Sequence, residues 1–148
     1  MQFLVAFLSL PFYIGLWGFL NFYIKYLGAF IYLVFEISLI LTTMTNPGVA
    51  TKKYYLENYN ADKTIIKNFR ICRKCNIVMD LDKGTEHCVE CGICIMNNDH
   101  HCPWTSKCVG KKNLMIFYIF IGSLAAHIVY LVFALVSLAV FSQDLNKK

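Results

Sequence analysis

The chain has 148 residues, a formal net charge of +5 from 14 basic and 9 acidic side chains, and is 57% hydrophobic. Soluble domains are usually about 45–50% apolar, and here the excess is gathered in blocks, which points to membrane segments rather than a water-soluble globule. Seven cysteines, odd in number and all between Cys72 and Cys108, argue against a disulfide scaffold and for metal or thiol chemistry in a reducing compartment.

The first apolar stretch, "FLVAFLSLPFYIGLWGFL" (residues 3–20), carries no charge. It is long enough to span a bilayer core, which takes about 17–25 residues. Pro11 should kink it, and neighbouring helices can satisfy the freed carbonyl. It has no basic leader region and no small-x-small cleavage site, so it reads as a span and not as a signal peptide. The second stretch, "LGAFIYLVFEISLILTTM" (residues 27–44), is interrupted by Glu36. Only residues 21–26 separate the two, so residues 1–44 are expected to form a tight antiparallel helical hairpin. "TNPG" then ends the second helix, because Pro47 cannot continue it and Gly48 permits a turn.

A polar segment, residues 45–113, follows, with its core at 72–113. It holds 11 of the 14 Lys and Arg residues; only Lys25, Lys147 and Lys148 lie outside it. The positive-inside rule places this segment in the cytosol. The basic excess is thereby accounted for by topology and contact with anionic lipid, and no nucleic-acid partner is expected. The third apolar stretch, residues 114–141, is longer than a span requires, so it should tilt or emerge; a tail at 142–148 ends the chain. No internal repeat or low-complexity tract stands out. The expected fold is an α-helical multi-pass membrane protein, with three transmembrane helices and a cysteine-rich domain between the second and third.

The polar segment reads "CRKCNIVMDLDKGTEHCVECGICIMNNDHHCPWTSKC". Its candidate ligands are Cys72, Cys75, His87, Cys88, Cys91, Cys94, His100, His101, Cys102 and Cys108. Structural zinc takes four thiolate or imidazole ligands. Two closed sites would use eight of the ten donors and leave two over. Cys72/Cys75 and Cys88/Cys91 are C-x2-C pairs able to meet one ion, and Cys91/Cys94 is an overlapping third, so interleaved sites are expected. If "DHHC" is extended, His100 and Cys102 face one side and His101 the other. An imidazole beside a thiol is a nucleophile with its base, and a carboxylate such as Asp99 can fix the imidazole's tautomer. Spacing alone leaves this catalytic reading and a purely structural one both open.

The stretch "DHHCPWTSKCVGKKNLMIF" resembles the DHHC family of integral-membrane protein S-acyltransferases, the palmitoyltransferases. The likeness runs from Cys72 to Phe117 and includes the flanking apolar stretches and "TNPG". The resemblance implies Cys102 as nucleophile, His100 as its base and Asp99 as the group orienting His100. It implies two structural zinc ions, one on Cys72, Cys75, His87 and Cys94, the other on Cys88, Cys91, His101 and Cys108. It further implies a fatty acyl-CoA such as palmitoyl-CoA as donor, an acyl-Cys102 intermediate, and membrane-proximal substrate proteins with accessible cysteines as acceptors. The location implied is an endomembrane (Golgi or endoplasmic reticulum) or the plasma membrane. Trp104, Phe117 and Phe120 are the expected contacts of the acyl chain, with Phe117, Phe120, Leu124 and His127 forming one helical stripe. By counting from the helix ends, His127 should lie about 21 Å deep and Glu36 about 12 Å, so the two are not expected to be partners.

Several features depart from the family pattern. Eleven residues separate Cys75 from His87, where nine is usual. Asn46 stands where Asp is usual, and Lys107 where Asn is common. The family has a fourth membrane helix, and this chain stops after three apolar stretches, as a truncated form would. An inactive truncated paralogue, acting as a membrane-anchored zinc-binding interaction module, is the alternative expectation.

Overall fold

The computed structural model describes residues 21–52 and 68–146. The expected first span, at 3–20, therefore lies outside the described residues. Among the described residues, two long helices and three β-hairpins are formed, in two units: residues up to Leu41 with those from Tyr118 on, and Thr42–Phe117.

The first helix, α1, runs Phe22–Met44, and the second, α2, runs Leu114–Asn146. Helix α1 begins five residues before the expected position, so most of the expected connection at 21–26 is helical. Asn21 explains this: its side-chain oxygen accepts the Tyr23 N–H at 3.4 Å and its carbonyl accepts the Lys25 N–H at 3.1 Å. An Asn at that position caps a helix start. Helix α2 likewise continues five residues past the expected end at 141.

Within the helical unit, the two helices meet through a narrow mixed seam. The Phe35 ring lies flat on His127, with centroids 5.6 Å apart and planes 7° apart, and also stacks on Phe120 at 5.8 Å. The Ser38 and Ser123 hydroxyls bond across at 3.1 Å, and the Tyr130 hydroxyl donates to the Ile24 carbonyl at 3.1 Å. Gly28 lies directly under the Tyr130 ring, where a Cβ would clash with it. Small and hydroxyl-bearing residues let helix backbones approach where lipid gives no hydrophobic drive. Outside this seam, Phe30, Leu33, Ile37, Val129, Phe133 and Val136 are exposed. Both helices are long and apolar enough to cross a membrane, and only 28% of each apolar window is buried. Such a surface has a good solvent in lipid tails and a poor one in water. His127 and Glu36 do not sit at the different depths expected of them. His127 lies against Phe35, the residue before Glu36, so a difference of about 9 Å does not hold. Counting from the helix ends assumed that both helices enter at one height, which the sequence does not fix.

In the second unit, β1 (Phe69–Cys72) pairs with β2 (Ile77–Asp80), β3 (Glu86–Cys88) with β4 (Ile93–Ile95), and β5 (His100–Cys102) with β6 (Lys107–Val109), each pair antiparallel. The three hairpins are copies of one design. Each first strand ends on a cysteine: Cys72, Cys88 or Cys102. A four-residue turn follows, whose last residue is left-handed: Asn76 (φ 51°), Gly92 (φ 69°) and Ser106 (φ 50°). The cysteine then pairs in register with Ile77, Ile93 or Lys107. An internal repeat is therefore present after all, at offsets of sixteen and fourteen residues. It escaped sequence reading because three different residue types fill the left-handed position, and only the cysteines recur.

A strap of chain after α1 closes this unit. The Asn46 side-chain oxygen accepts the N–H groups of Gly48 (2.8 Å) and Val49 (3.0 Å), an Asx turn that serves as well with an amide as with a carboxylate. Val49 then bridges to Ile95, with Met96 N–H bonded to Gly48 O and Ala50 N–H to Cys94 O, both at 2.8 Å. Gly110 packs beneath, where a Cβ would come within 2.6 Å of the Pro47 carbonyl and 2.8 Å of Ile95. Asn113 ties the start of α2 to β6, accepting from Gly110 N–H at 2.8 Å and donating to the Cys108 carbonyl at 3.1 Å.

Candidate functional site

Eight donors converge in two groups: Cys72, Cys75, His87 and Cys94, and Cys88, Cys91, His101 and Cys108. Within each group the ligand atoms lie within 4.8 Å of one another. The hairpin design explains both. A C-x2-C turn from one hairpin meets a cross-strand His–Cys pair from the next. His87 is in register with Cys94, and His101 with Cys108. The middle hairpin serves both groups, giving His87 and Cys94 to one and Cys88 and Cys91 to the other.

The spacing tests whether a zinc ion fits. With Zn–S near 2.3 Å and Zn–N near 2.0–2.1 Å, a tetrahedron has S···N edges of about 3.6 Å and S···S edges of about 3.8 Å. His87 Nδ1 lies 3.5, 3.3 and 3.6 Å from the sulfurs of Cys72, Cys75 and Cys94. His101 Nδ1 lies 3.6, 3.3 and 3.7 Å from those of Cys88, Cys91 and Cys108, and Cys91 and Cys108 are 3.3 Å apart. Electrostatics agree. Burial, together with crowding by Cys72 and Cys75, pushes the Cys94 thiol strongly up, and burial with Cys88 and Cys91 does the same to Cys108. A cation among them is what would hold such crowded sulfurs as thiolates. The two residues beyond the usual spacing between Cys75 and His87 are absorbed in a turn after β2. There Asp80 accepts the Lys83 N–H at 3.2 Å and pairs with its amine at 3.4 Å, and the ligands stay together.

Two donors belong to neither group: His100 and Cys102. Both lie on β5, the extended backbone the alternation argument requires, with His101 between them pointing into the second cluster. His100 Nδ1 donates to the Asp99 carboxylate at 2.9 Å, which leaves Nε2 as the acceptor nitrogen. Phe117 meets the imidazole edge-on at 5.1 Å. Burial alone would lower the His100 pKa; the bonds to Asp99 and Cys102 outweigh it and the net shift is upward. Burial likewise would raise the Cys102 thiol, but the backbone N–H of Thr105, with His100 and the Trp104 N–H, outweighs it, and the thiol is lowered. Both shifts favour a thiolate–imidazolium pair.

Among the expected acyl contacts, Trp104 is 62% exposed and Phe120 only 4% exposed, its ring covered by Phe35. Cys102 is 3% exposed. Lys107, its cross-strand partner, donates from its amine to the Thr43 carbonyl at 2.7 Å, so the unusual lysine caps the last turn of α1. Two residues of the site escaped sequence reading. Asn113 directly precedes an apolar helical run, a helix-start signal. Thr105 stands three residues after Cys102, where the other two hairpins have their second cysteine.

A family model described as DHHC palmitoyltransferase matches residues 65–148. Palmitoyltransferase ZDHHC18-A of Danio rerio is 30% identical over 128 residues, covering 72% of this chain and 27% of that protein. Palmitoyltransferase ZDHHC9 of Bos taurus is 37% identical over 75 residues, 51% of this chain and 20% of that protein. Palmitoyltransferase ZDHHC5 of Bos taurus is 31% identical over 112 residues, 68% of this chain and 15% of that protein. The chain thus spans about a quarter or less of the length of these curated relatives. With more than half its residues under the family model, and two four-donor clusters beside an Asp-His-His-Cys segment, the chain belongs to the DHHC palmitoyltransferase family.

Proposed function

We propose that this chain is a protein-cysteine S-acyltransferase that moves a fatty acyl group, such as palmitoyl, from acyl-CoA to cysteines of membrane-proximal proteins. The observation that carries the reading is His100 and Cys102 on one strand with Asp99 just before it, left over when eight neighbouring donors gather in two clusters. Zinc, held by Cys72, Cys75, His87 and Cys94 and by Cys88, Cys91, His101 and Cys108, would supply structure only.

The proposed chemistry is two-step covalent transfer. Cys102 thiolate attacks the thioester carbonyl of acyl-CoA; its C–S bond forms, the bond to CoA breaks, and the departing CoA thiolate takes the proton carried by His100. His100, now neutral, then accepts the proton of a substrate cysteine. That sulfur attacks the acyl-Cys102 thioester, and Cys102 leaves as the thiolate beside the recharged imidazolium. Asp99 holds the imidazole with Nε2 towards the sulfur throughout. Trp104 and Phe117 flank the reacting groups and are the proposed contacts of the acyl chain. Phe120, the third expected contact, is covered by its stack with Phe35. A lipid location suits the product and donor, since each buried CH2 of the chain is worth about 0.8 kcal/mol. The concentration of 11 of 14 Lys and Arg residues in 45–113 supports a cytosolic placement of the hairpins, in an endomembrane (Golgi or endoplasmic reticulum) or the plasma membrane.

The test is incubation of the purified chain with labelled palmitoyl-CoA. Hydroxylamine-labile label on Cys102, absent from Cys102→Ser with its zinc retained, is the expected result. Zinc without label would refute the enzyme and leave a membrane-anchored metal-binding module.

A further inference from the structure

The three hairpins differ in one chemically decisive place. In the first two, the strand-ending cysteine is followed three residues later by a second cysteine: Cys75 after Cys72, Cys91 after Cys88. In the third, Thr105 follows Cys102. The left-handed residue still comes next, at Asn76, Gly92 and Ser106, and the cysteine still pairs in register with the residue five positions on. The N–H of the residue three positions on also addresses the first sulfur in all three, from Cys75, Cys91 and Thr105. That is the geometry in which a C-x2-C turn holds one ion between two thiolates.

The third turn differs in its hydrogen bonds as well as in its donor. In the first two hairpins the cysteine carbonyl accepts a backbone N–H four residues on, Asn76 to Cys72 at 2.8 Å and Gly92 to Cys88 at 2.9 Å. In the third, Ser106 N–H goes to the Pro103 carbonyl at 3.3 Å, and the Cys102 carbonyl is taken instead by the Thr105 hydroxyl at 3.4 Å. Thr105 is 4% exposed, so this hydroxyl does not exchange freely with water. His100, on the same side of β5, brings a third potential donor to the sulfur of Cys102.

We propose that Thr105 is the positioning residue that keeps Cys102 free of metal. The third hairpin is a zinc-binding turn whose second thiolate has been exchanged for a hydroxyl; it retains the cysteine's orientation and lacks the chelate. The proposal rests on the ligand assignment and the nucleophile role given above, and it names what separates a reactive cysteine from the two structural ones, Cys72 and Cys88, at the same place in the other hairpins. A lone thiolate with one imidazole holds zinc weakly. Two thiolates three residues apart with the same imidazole make a three-ligand site, the number that suffices for zinc with water in the fourth position.

The full chain in detergent, with Thr105→Cys and a non-thiol reductant present, is the test. Elemental analysis should rise from two zinc ions per chain to three. Cobalt substitution should add a third increment of thiolate-to-metal absorption. Alkylation of Cys102 by iodoacetamide should slow by at least tenfold. Thr105→Ser should keep two ions and wild-type alkylation. Two ions in Thr105→Cys with Cys102 alkylated at the wild-type rate overturns the proposal, as does a third ion in Thr105→Ser. If Thr105→Cys fails to retain even two ions, Thr105→Asp supplies a donor without a second sulfur; a third ion there supports the proposal and two ions overturn it. Neither count nor alkylation needs acyl-CoA, so a failure of acyl transfer and a failure of this assignment are read separately.

Discussion

Replacing Cys88 by alanine should cost the molecule far more than one thiol. The residues buried around the second cluster are Cys88, Ile95 and Cys108, of which Ile95 alone is a large apolar side chain outside the metal set. Its burial is worth about 1.5–3 kcal/mol. A structural zinc is worth roughly 10–16 kcal/mol. The ion, not the packing, therefore holds β3–β4 to β5–β6. Because His87 and Cys94 flank the same hairpin and belong to the first cluster, the damage should spread. Zinc in Cys88→Ala should fall from two ions to at most one, and the survivor should pass to a chromogenic chelator faster than from wild type. Acyl labelling at Cys102 should vanish with it, whereas Cys102→Ser should keep both ions. Two tightly held zincs in Cys88→Ala would refute both the ligand set and the reasoning that metal outweighs packing here.

Two further outcomes are expected. Gly110→Ala drives a Cβ to within 2.6 Å of the Pro47 carbonyl and 2.8 Å of Ile95. It should destabilise the strap by about 1–3 kcal/mol, seen as a drop of several degrees in the midpoint for thermal zinc release; an unchanged midpoint would contradict the packing. For Cys102, hydrogen bonds outweigh burial and lower its pKa, while Asp99 and Cys102 raise that of His100. Both shifts favour the thiolate–imidazolium pair over the neutral pair. Alkylation of Cys102 should rise with a midpoint below that of a free thiol. His100→Ala removes the cation and should move the midpoint up; Asp99→Asn, which lowers the imidazole pKa, should move it up by less. An unmoved midpoint in His100→Ala would remove His100 from its role.

What the sequence makes legible is whatever is carried by residue type at fixed spacing. The ten donors, the pairs at three-residue spacing and the alternation across His100, His101 and Cys102 all depend on short-range geometry that a strand or tight turn imposes. Arrangements made by distant partners were not legible. Asn46, Val49 and Gly110 acquire their meaning only when the strap meets β4, and no local pattern announces a pairing across more than forty residues. The hairpin repeat stayed hidden because backbone conformation is conserved from copy to copy while side chains are not: Asn76, Gly92 and Ser106 share only a left-handed backbone. Helix α1 began early because a capping Asn outweighed the polar look of "NFYIKY".

The strap also bears on where this molecule can be cut. A peptide starting at residue 65, where the family likeness begins, would keep all eight metal donors and the Asp-His-His-Cys strand yet lose residues 47–50. The outer edge of β4 would then present the Met96 N–H and the Cys94 carbonyl, now bonded to Gly48 and Ala50, to any passing strand. An open edge of that kind invites pairing between chains. An excised finger would aggregate or exchange straps with its neighbours, even fully loaded with zinc.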